Sequence, residues 1–213
     1  SDMHLATAVA SAAALAIHNA RMAQALVEQE RVRKELELAR QIQLSLLPPD
    51  AAASFPIHGL NMPVREVSGD FFDYCEVAGD RIYFSLADVS GKGMNAALLM
   101  AKTTSLLRCL AKTTEGPAEL LAQVNAEICE TASMGMFVTI VAGYIYPDTG
   151  VVELSNAGHQ PPVLWHSDST YEELPATAPP IGILPDLVFE STRIELGDGS
   201  LYIFTDGVIE SLA

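Results

Sequence analysis

The chain has 213 residues, with 12 Lys and Arg against 27 Asp and Glu, and a formal charge of −15. Nucleic-acid affinity comes mainly from basic groups that neutralise phosphates, so this balance excludes a nucleic-acid binder and makes an anionic membrane surface an equally poor partner. A hydrophobic fraction of 49% excludes global disorder, and three Cys without a CxxC spacing point to a reducing, cytoplasmic compartment and not to a disulfide scaffold.

The charge is uneven. Residues 1–40 hold five bases and five acids, so the whole excess lies in residues 41–213. No run of about 18 apolar residues escapes polar interruption, so no membrane insertion is expected.

From His4 to Leu47 there is neither Gly nor Pro, and Ala, Leu, Glu, Gln and Arg dominate. These are good helix formers, and Pro48-Pro49 stops the helix. Apolar residues recur at Leu15, Met22 and Leu26 and, after a one-residue slip, at Val32, Leu36, Ala39 and Leu46. That is the pattern of a coiled coil with a stammer. A helix packed on its own domain is the alternative; a linker helix pairing in a parallel homodimer is the favoured reading. The chain thus divides into a linker or dimerisation helix, 1–47, and a domain, 48–213.

After Pro49 the pattern changes. Segments 57–67, 72–78 and 81–88 read as strands, the last two joined by a hairpin at Ala78-Gly79-Asp80. A helix is expected over 93–112, with Leu98, Leu99, Thr103, Leu106, Leu107 and Leu110 as its apolar stripe. A second helix starts near Pro117 and runs to about Thr131. Strands follow at 136–146, 151–156, 162–166, 170–174, 187–195 and 200–205, with a turn at 147–150. Hairpins flanking two consecutive helices make an α+β order, not a βαβ alternation.

Carboxylates stand beside Gly at the ends of apolar runs. Asp70 lies in Ser68-Gly69-Asp70-Phe71-Phe72-Asp73. Asp88 closes Ile82–Ala87 and opens Asp88-Val89-Ser90-Gly91-Lys92-Gly93. Asp206 closes Leu201–Thr205 and opens Asp206-Gly207. A buried carboxylate is costly without a partner. Lys92 is the only base within the two Gly-flanked turns, so a hard divalent cation, Mg²⁺ or Mn²⁺, is the natural counter-charge. The three Cys and five His have no zinc spacing. Singly, each motif has a plain reading. Asp70, Asp73 and Asp206 read equally as turn residues, and the 88–93 run reads weakly as a phosphate-cradling loop. His159 reads as a structural turn residue before a general acid, and Lys92 as either a phosphate contact or a solvated side chain.

Taken together and in order, these runs resemble the SpoIIE-type branch of the PPM family of metal-dependent Ser/Thr protein phosphatases. The matching runs are Leu46-Leu47-Pro48, Ser68–Asp73, Ala87–Gly93, Met136-Phe137-Val138-Thr139, Asn156–Pro162 and Thr205-Asp206-Gly207. The run Ile17-His18-Asn19-Ala20 resembles the closing helix of a GAF-type sensor, which implies an upstream sensor domain.

The resemblance implies a four-layer α-β-β-α sandwich of two mainly antiparallel sheets, with two Mn²⁺ or Mg²⁺ ions at one end. Asp88 would bridge the ions, the Val89 carbonyl and Asp70 would serve one, and Asp206 the other. All three carboxylates would be catalytic, through a water activated by the two metals. The implied substrate is a phosphorylated partner protein, an anti-sigma-factor antagonist of STAS type. A catalytically weak or inactive dimeric signalling module of the same fold is the alternative. The resemblance also places a further metal-binding Asp beyond the Asp-Gly turn, so the domain reads as C-terminally truncated, with impaired metal binding expected.

Overall fold

The structure is a computed structural model, and it describes residues 2–49, 52, 54–61, 69–91, 93–131 and 135–210. Ser68, Lys92 and residues 62–67 of the expected first strand lie outside the described residues. Residues 57–61, also expected as strand, are irregular.

Helix α1 spans Asp2–Leu46, as the absence of Gly and Pro predicts. Two strands, β1 (Phe71–Val77) and β2 (Arg81–Val89), pair antiparallel around the expected hairpin. Its loop carries positive φ at both Gly79 (85°) and Asp80 (51°), a conformation open to Gly and tolerated by Asp. Helices α2 (Met94–Leu110) and α3 (Pro117–Thr131) follow, then β3 (Val138–Tyr146) and β4 (Val151–Ala157). Short strands β5 (Val163–Trp165), β6 (Tyr171–Glu173), β7 (Thr192–Glu195) and β8 (Ser200–Tyr202) precede a five-residue helix, α4 (Asp206–Glu210).

The strands form two antiparallel sheets, ordered β1-β2-β3-β4-β7 and β6-β5-β8. Side chains alternate between faces with period two. One face of the larger sheet, with Phe71, Tyr83, Val89, Ile140 and Tyr144, packs on Met100, Leu107, Leu120, Val124 and Ile128 from the helices. The other face gives Phe84, Val141, Val152 and Leu154 to a second apolar cluster with Leu174, Leu201 and Ile203. That cluster fills the space between the sheets. The α+β class and the two antiparallel sheets are as expected. Among the described residues, the helical layer lies on the larger sheet and no helix packs on the smaller one.

Helix α2 keeps most of its predicted stripe: Thr103 and Leu107 are buried, and Leu99, Leu106 and Leu110 pack against the helix-side core. Leu98 is exposed, while Ala96, Ala97, Met100, Thr103, Thr104 and Leu107 face inward. Small residues at its start allow a close approach to the sheet. The two buried threonines donate to carbonyls of their own helix, those of Leu99 (2.7 Å) and Met100 (2.9 Å), so their hydroxyls cost little to bury.

Asp73 is not a turn residue. It sits inside β1 with its side chain fully buried, and Arg108 of α2 donates to it from Nε (2.8 Å) and Nη2 (2.5 Å). The Arg108 Nη2 also reaches the Leu46 carbonyl at 3.4 Å. One guanidinium therefore joins α2, β1 and the end of α1. Among the described residues, only that end of α1 packs on the domain: Gln43 is buried, and Leu46 and Leu47 join the helix-side core. Upstream, Leu15, Met22, Leu26 and Val32 are exposed. The alternative of a helix packed on its own domain thus holds for its last turns alone. No helix among the described residues is long and apolar enough to cross a membrane.

Replacing Arg108 with Met leaves a buried carboxylate without its counter-ion. Urea unfolding is expected to show a loss of about 3–5 kcal/mol, and Asp73→Asn in the same background should restore part of it.

Candidate functional site

Strand register builds the site. Phe71 pairs with Ala87, so Asp70, one residue earlier, falls opposite Asp88, one residue later. On its other side, Asp88 pairs directly with Thr139 of β3. Asp88 shares the sheet face of Phe84, so its carboxyl lies at the end of the inter-sheet space. Asp206 arrives from the smaller sheet, four residues after β8 ends. The three carboxylates singled out by sequence therefore come from two sheets to one end of the sandwich.

Contacts around them are specific. The Thr205 hydroxyl donates to Asp70 Oδ2 at 3.0 Å, tying the Asp206 turn to the Asp70 turn. The Val89 amide donates to the Gly69 carbonyl at 3.4 Å. A Cβ on Gly69 would stand 2.7 Å from the Val89 carbonyl oxygen and 3.0 Å from Asp88 Oδ1. Only Gly admits that approach, so the first motif presses against the second through a missing side chain. The Ser90 hydroxyl accepts from the Phe137 amide (2.8 Å), and the Ser90 amide donates to the Phe137 carbonyl (2.9 Å), which fixes the loop after Asp88.

The electrostatics are those of crowded carboxylates. Burial pushes the Asp88 carboxyl up to about 7, helped by a hydrogen bond with Asp70 and by the negative charges of Asp70 and Asp206. Asp88 therefore keeps its proton up to near neutrality against the Asp70 and Asp206 charges. His159 lies beside them. Burial pushes its ring down, while the Phe204 backbone and the Asp70 and Asp206 charges favour the protonated form. Its Nδ1 is 2.9 Å from the Thr139 hydroxyl, and its Nε2 meets no partner at hydrogen-bond geometry.

An all-oxygen set of carboxylates with a backbone carbonyl suits a hard divalent cation. Asp70, Asp88 and the Val89 carbonyl share one cradle, and Asp206 faces them from the other sheet. Among the described residues, no three His, Cys, Asp or Glu side chains stand close enough to enclose one ion. Asp88 and Asp70 instead hydrogen-bond to each other. The donor chemistry fits the cation, and the carboxyls must spread to receive it.

Thr139 and Thr205 were invisible as site residues in the sequence, because each matters through a partner on another strand. The signal in hindsight is position: Thr205 precedes the Asp-Gly turn, and Thr139 ends the Met136–Thr139 run.

Comparison with known proteins gives a consistent picture. The family described as Stage II sporulation protein E (SpoIIE) matches residues 78–213, a span that starts after Asp70. Phosphoserine phosphatase RsbP of Bacillus subtilis is 31% identical over 188 residues, covering 85% of this chain and 46% of its own. Protein IcfG of Synechocystis sp. is 31% identical over 210 residues, covering 84% of this chain and 33% of its own. The chain therefore spans a third to a half of these relatives. Among solved structures, the SiaA-PP2C domain of Pseudomonas aeruginosa superposes with a TM-score of 0.71 at 20% identity, covering 84% of this chain and 73% of that one.

A raised folded pKa means that Asp88 favours folding at low pH, and that this contribution fades as pH rises from 3.8 towards about 7. Asp88→Asn removes the charge. In EDTA at pH 8 the variant should melt above the wild type, with the gap narrowing towards pH 4 in a calorimetric series. Gly69→Ala should lower the melting temperature at every pH, since the clash with the Val89 carbonyl carries no charge.

Proposed function

The chain belongs to the SpoIIE family of PPM-type phosphatases, and from that premise we propose that it is a metal-dependent protein serine/threonine phosphatase of bacterial signalling. The observation that carries the reading is the convergence of Asp70, Asp88 and Asp206 at one end of two sheets, with Asp88 titrating near neutrality. Carboxylates crowded to that degree suit cation binding, because the cation removes the repulsion that otherwise weakens the fold.

In this proposal Asp88, Asp70, the Val89 carbonyl and Asp206 would hold the metal ions, with Asp88 placed to serve both. Mn²⁺ or Mg²⁺ bound there would acidify a water and neutralise the phosphoryl oxygens. The protein's part is to give up the Asp88 proton, to hold Asp206 opposite through the Thr205–Asp70 hydrogen bond, and to keep the Asp88 loop rigid through Ser90 and Phe137. The substrate is a phosphoserine or phosphothreonine on a partner protein, by inference an anti-sigma-factor antagonist of STAS type. The name of the similar phosphoserine phosphatase RsbP supports the residue class.

The exposed stripe on α1 supports a parallel homodimer that carries a signal from an upstream sensor. Arg108 supplies its link to the domain through Leu46 and Asp73. Domain limits of 1–47 and 48–213 follow from this division of labour. A second reading, a catalytically inactive dimeric module, draws on the lack of a closed three-group shell among the described residues.

Phosphate release from a serine-phosphorylated STAS protein separates the two. Wild type with Mn²⁺ should turn over, EDTA should silence it, and Asp88→Asn or Asp206→Asn should lose at least about a hundredfold. Equal release by wild type and Asp88→Asn would favour the inactive module, with a contaminant as the source. Inserting four residues near Leu36 should alter kcat or Mn²⁺ affinity if the helix is coupled to the site.

A further inference from the structure

We propose that His159 is a positioning residue: through Thr139 it fixes the backbone of Asp88, and so sets where that carboxyl stands between the two sheets. The inference rests on the metal-site reading above and goes beyond it to a residue outside the ligand set.

The chain of contacts is short. His159 Nδ1 is 2.9 Å from Thr139 Oγ1, and Thr139 Oγ1 is 3.5 Å from the Asp88 carbonyl oxygen, across the directly paired residues of β2 and β3. The ring is aimed by a rigid turn. Asn156 accepts from the His159 amide at 2.9 Å and donates to the His159 carbonyl at 3.3 Å. Gly158 between them has φ of 65°, with Pro180 so close that a Cβ would stand 2.5 Å from its ring. The turn is held from outside as well, since the Thr177 amide donates to the Asn156 carbonyl at 3.1 Å.

Proton counting sharpens the role. The Thr139 hydroxyl has one hydrogen. Given to the Asp88 carbonyl, it requires Nδ1–H as donor and leaves Nε2 a bare lone pair. Given to Nδ1, it leaves the Asp88 carbonyl without this donor and puts the ring hydrogen on Nε2, with the Phe204 backbone as an acceptor beside the ring. Either neutral tautomer leaves Nε2, on a side chain only 5% exposed, without a partner at hydrogen-bond geometry. A residue kept for packing alone gains nothing from such an atom; Leu or Phe would fill the volume without it. The ring is explained by what its Nδ1 holds.

The test reads Mn²⁺ affinity by titration calorimetry or by the electron paramagnetic resonance of free Mn²⁺, with melting in EDTA as the control for folding. His159→Leu and Thr139→Val should each weaken Mn²⁺ by about tenfold, the usual effect of removing a group that orients a ligand. The double variant should lose no more than either single, because the two side chains act in series. His159→Asn, whose amide reaches the Nδ1 position, should retain most of the affinity. Unchanged affinity in the single variants, or a multiplied loss of about a hundredfold in the double, overturns the proposal. Should His159→Leu fail to fold, Thr139→Val against Thr139→Ser decides: Ser keeps the hydroxyl and should keep the affinity, and an equal loss in both overturns the role. A wild type that binds no Mn²⁺ sinks the metal reading together with this one, whereas a binding wild type with unaffected variants sinks the positioning role alone.

Discussion

The crowding of the Asp88 carboxyl by Asp70 and Asp206 at one end of a sandwich sets the terms for the rest of this molecule. Asp70 and Asp88 are brought face to face by strand register, one step beyond the Phe71–Ala87 pair of the β1–β2 ladder. Burial and mutual repulsion then raise Asp88 towards neutrality. The surrounding structure serves to hold that unfavourable pair. Gly69 lets one turn lie against the other, Thr205 adds a donor, and the Ser90–Phe137 exchange locks the following loop. Strain of this kind is stored where a protein works and is offset elsewhere, here by two apolar layers on either side of the larger sheet.

How much of this was legible in the sequence depends on the range over which each residue acts. The three carboxylates were legible because each ends an apolar strand beside Gly, a local pattern with a local cost. Hairpins and helices were legible for the same reason, and Pro117 marks the start of α3 to the residue. Thr139, Thr205 and the buried ring of His159 were not, because their importance lies in partners set by cross-strand register. Asp73 was misread as a turn residue, since its partner Arg108 stands 35 positions away on another element. Leu98 was misplaced because a helix stripe drawn from large residues ignores how closely small ones can approach a sheet. Residues 57–61 look like strand by composition, yet they pair with nothing among the described residues.

The site is divided between two sheets of unequal strength. Asp70 and Asp88 stand on the five-stranded sheet, which is clamped by α2 and α3. Asp206 follows a three-residue strand of the smaller sheet, held to the larger one chiefly by the Phe84, Leu154 and Leu201 cluster. The distance across the site is therefore set by side-chain volumes in that cluster. A methylene lost or gained there is felt in a close-packed interior, and it changes the gap between carboxylates that no backbone hydrogen bond measures.

The last structural consequence is mechanical. Helix α1 is a rod of about 67 Å at 1.5 Å per residue, anchored only over its final turns. A sideways swing of about 10 Å at its free end is a tilt of only about 9° for a rod of that length, and at the anchor it shrinks to a displacement smaller than a bond. Rotation about the rod's own axis behaves differently: it is not scaled down by the lever arm, and it acts at the Leu46 carbonyl and the Arg108 guanidinium bound to it. Seen from the anchored end, such a rod turns sideways swing into almost no displacement but keeps rotation as rotation.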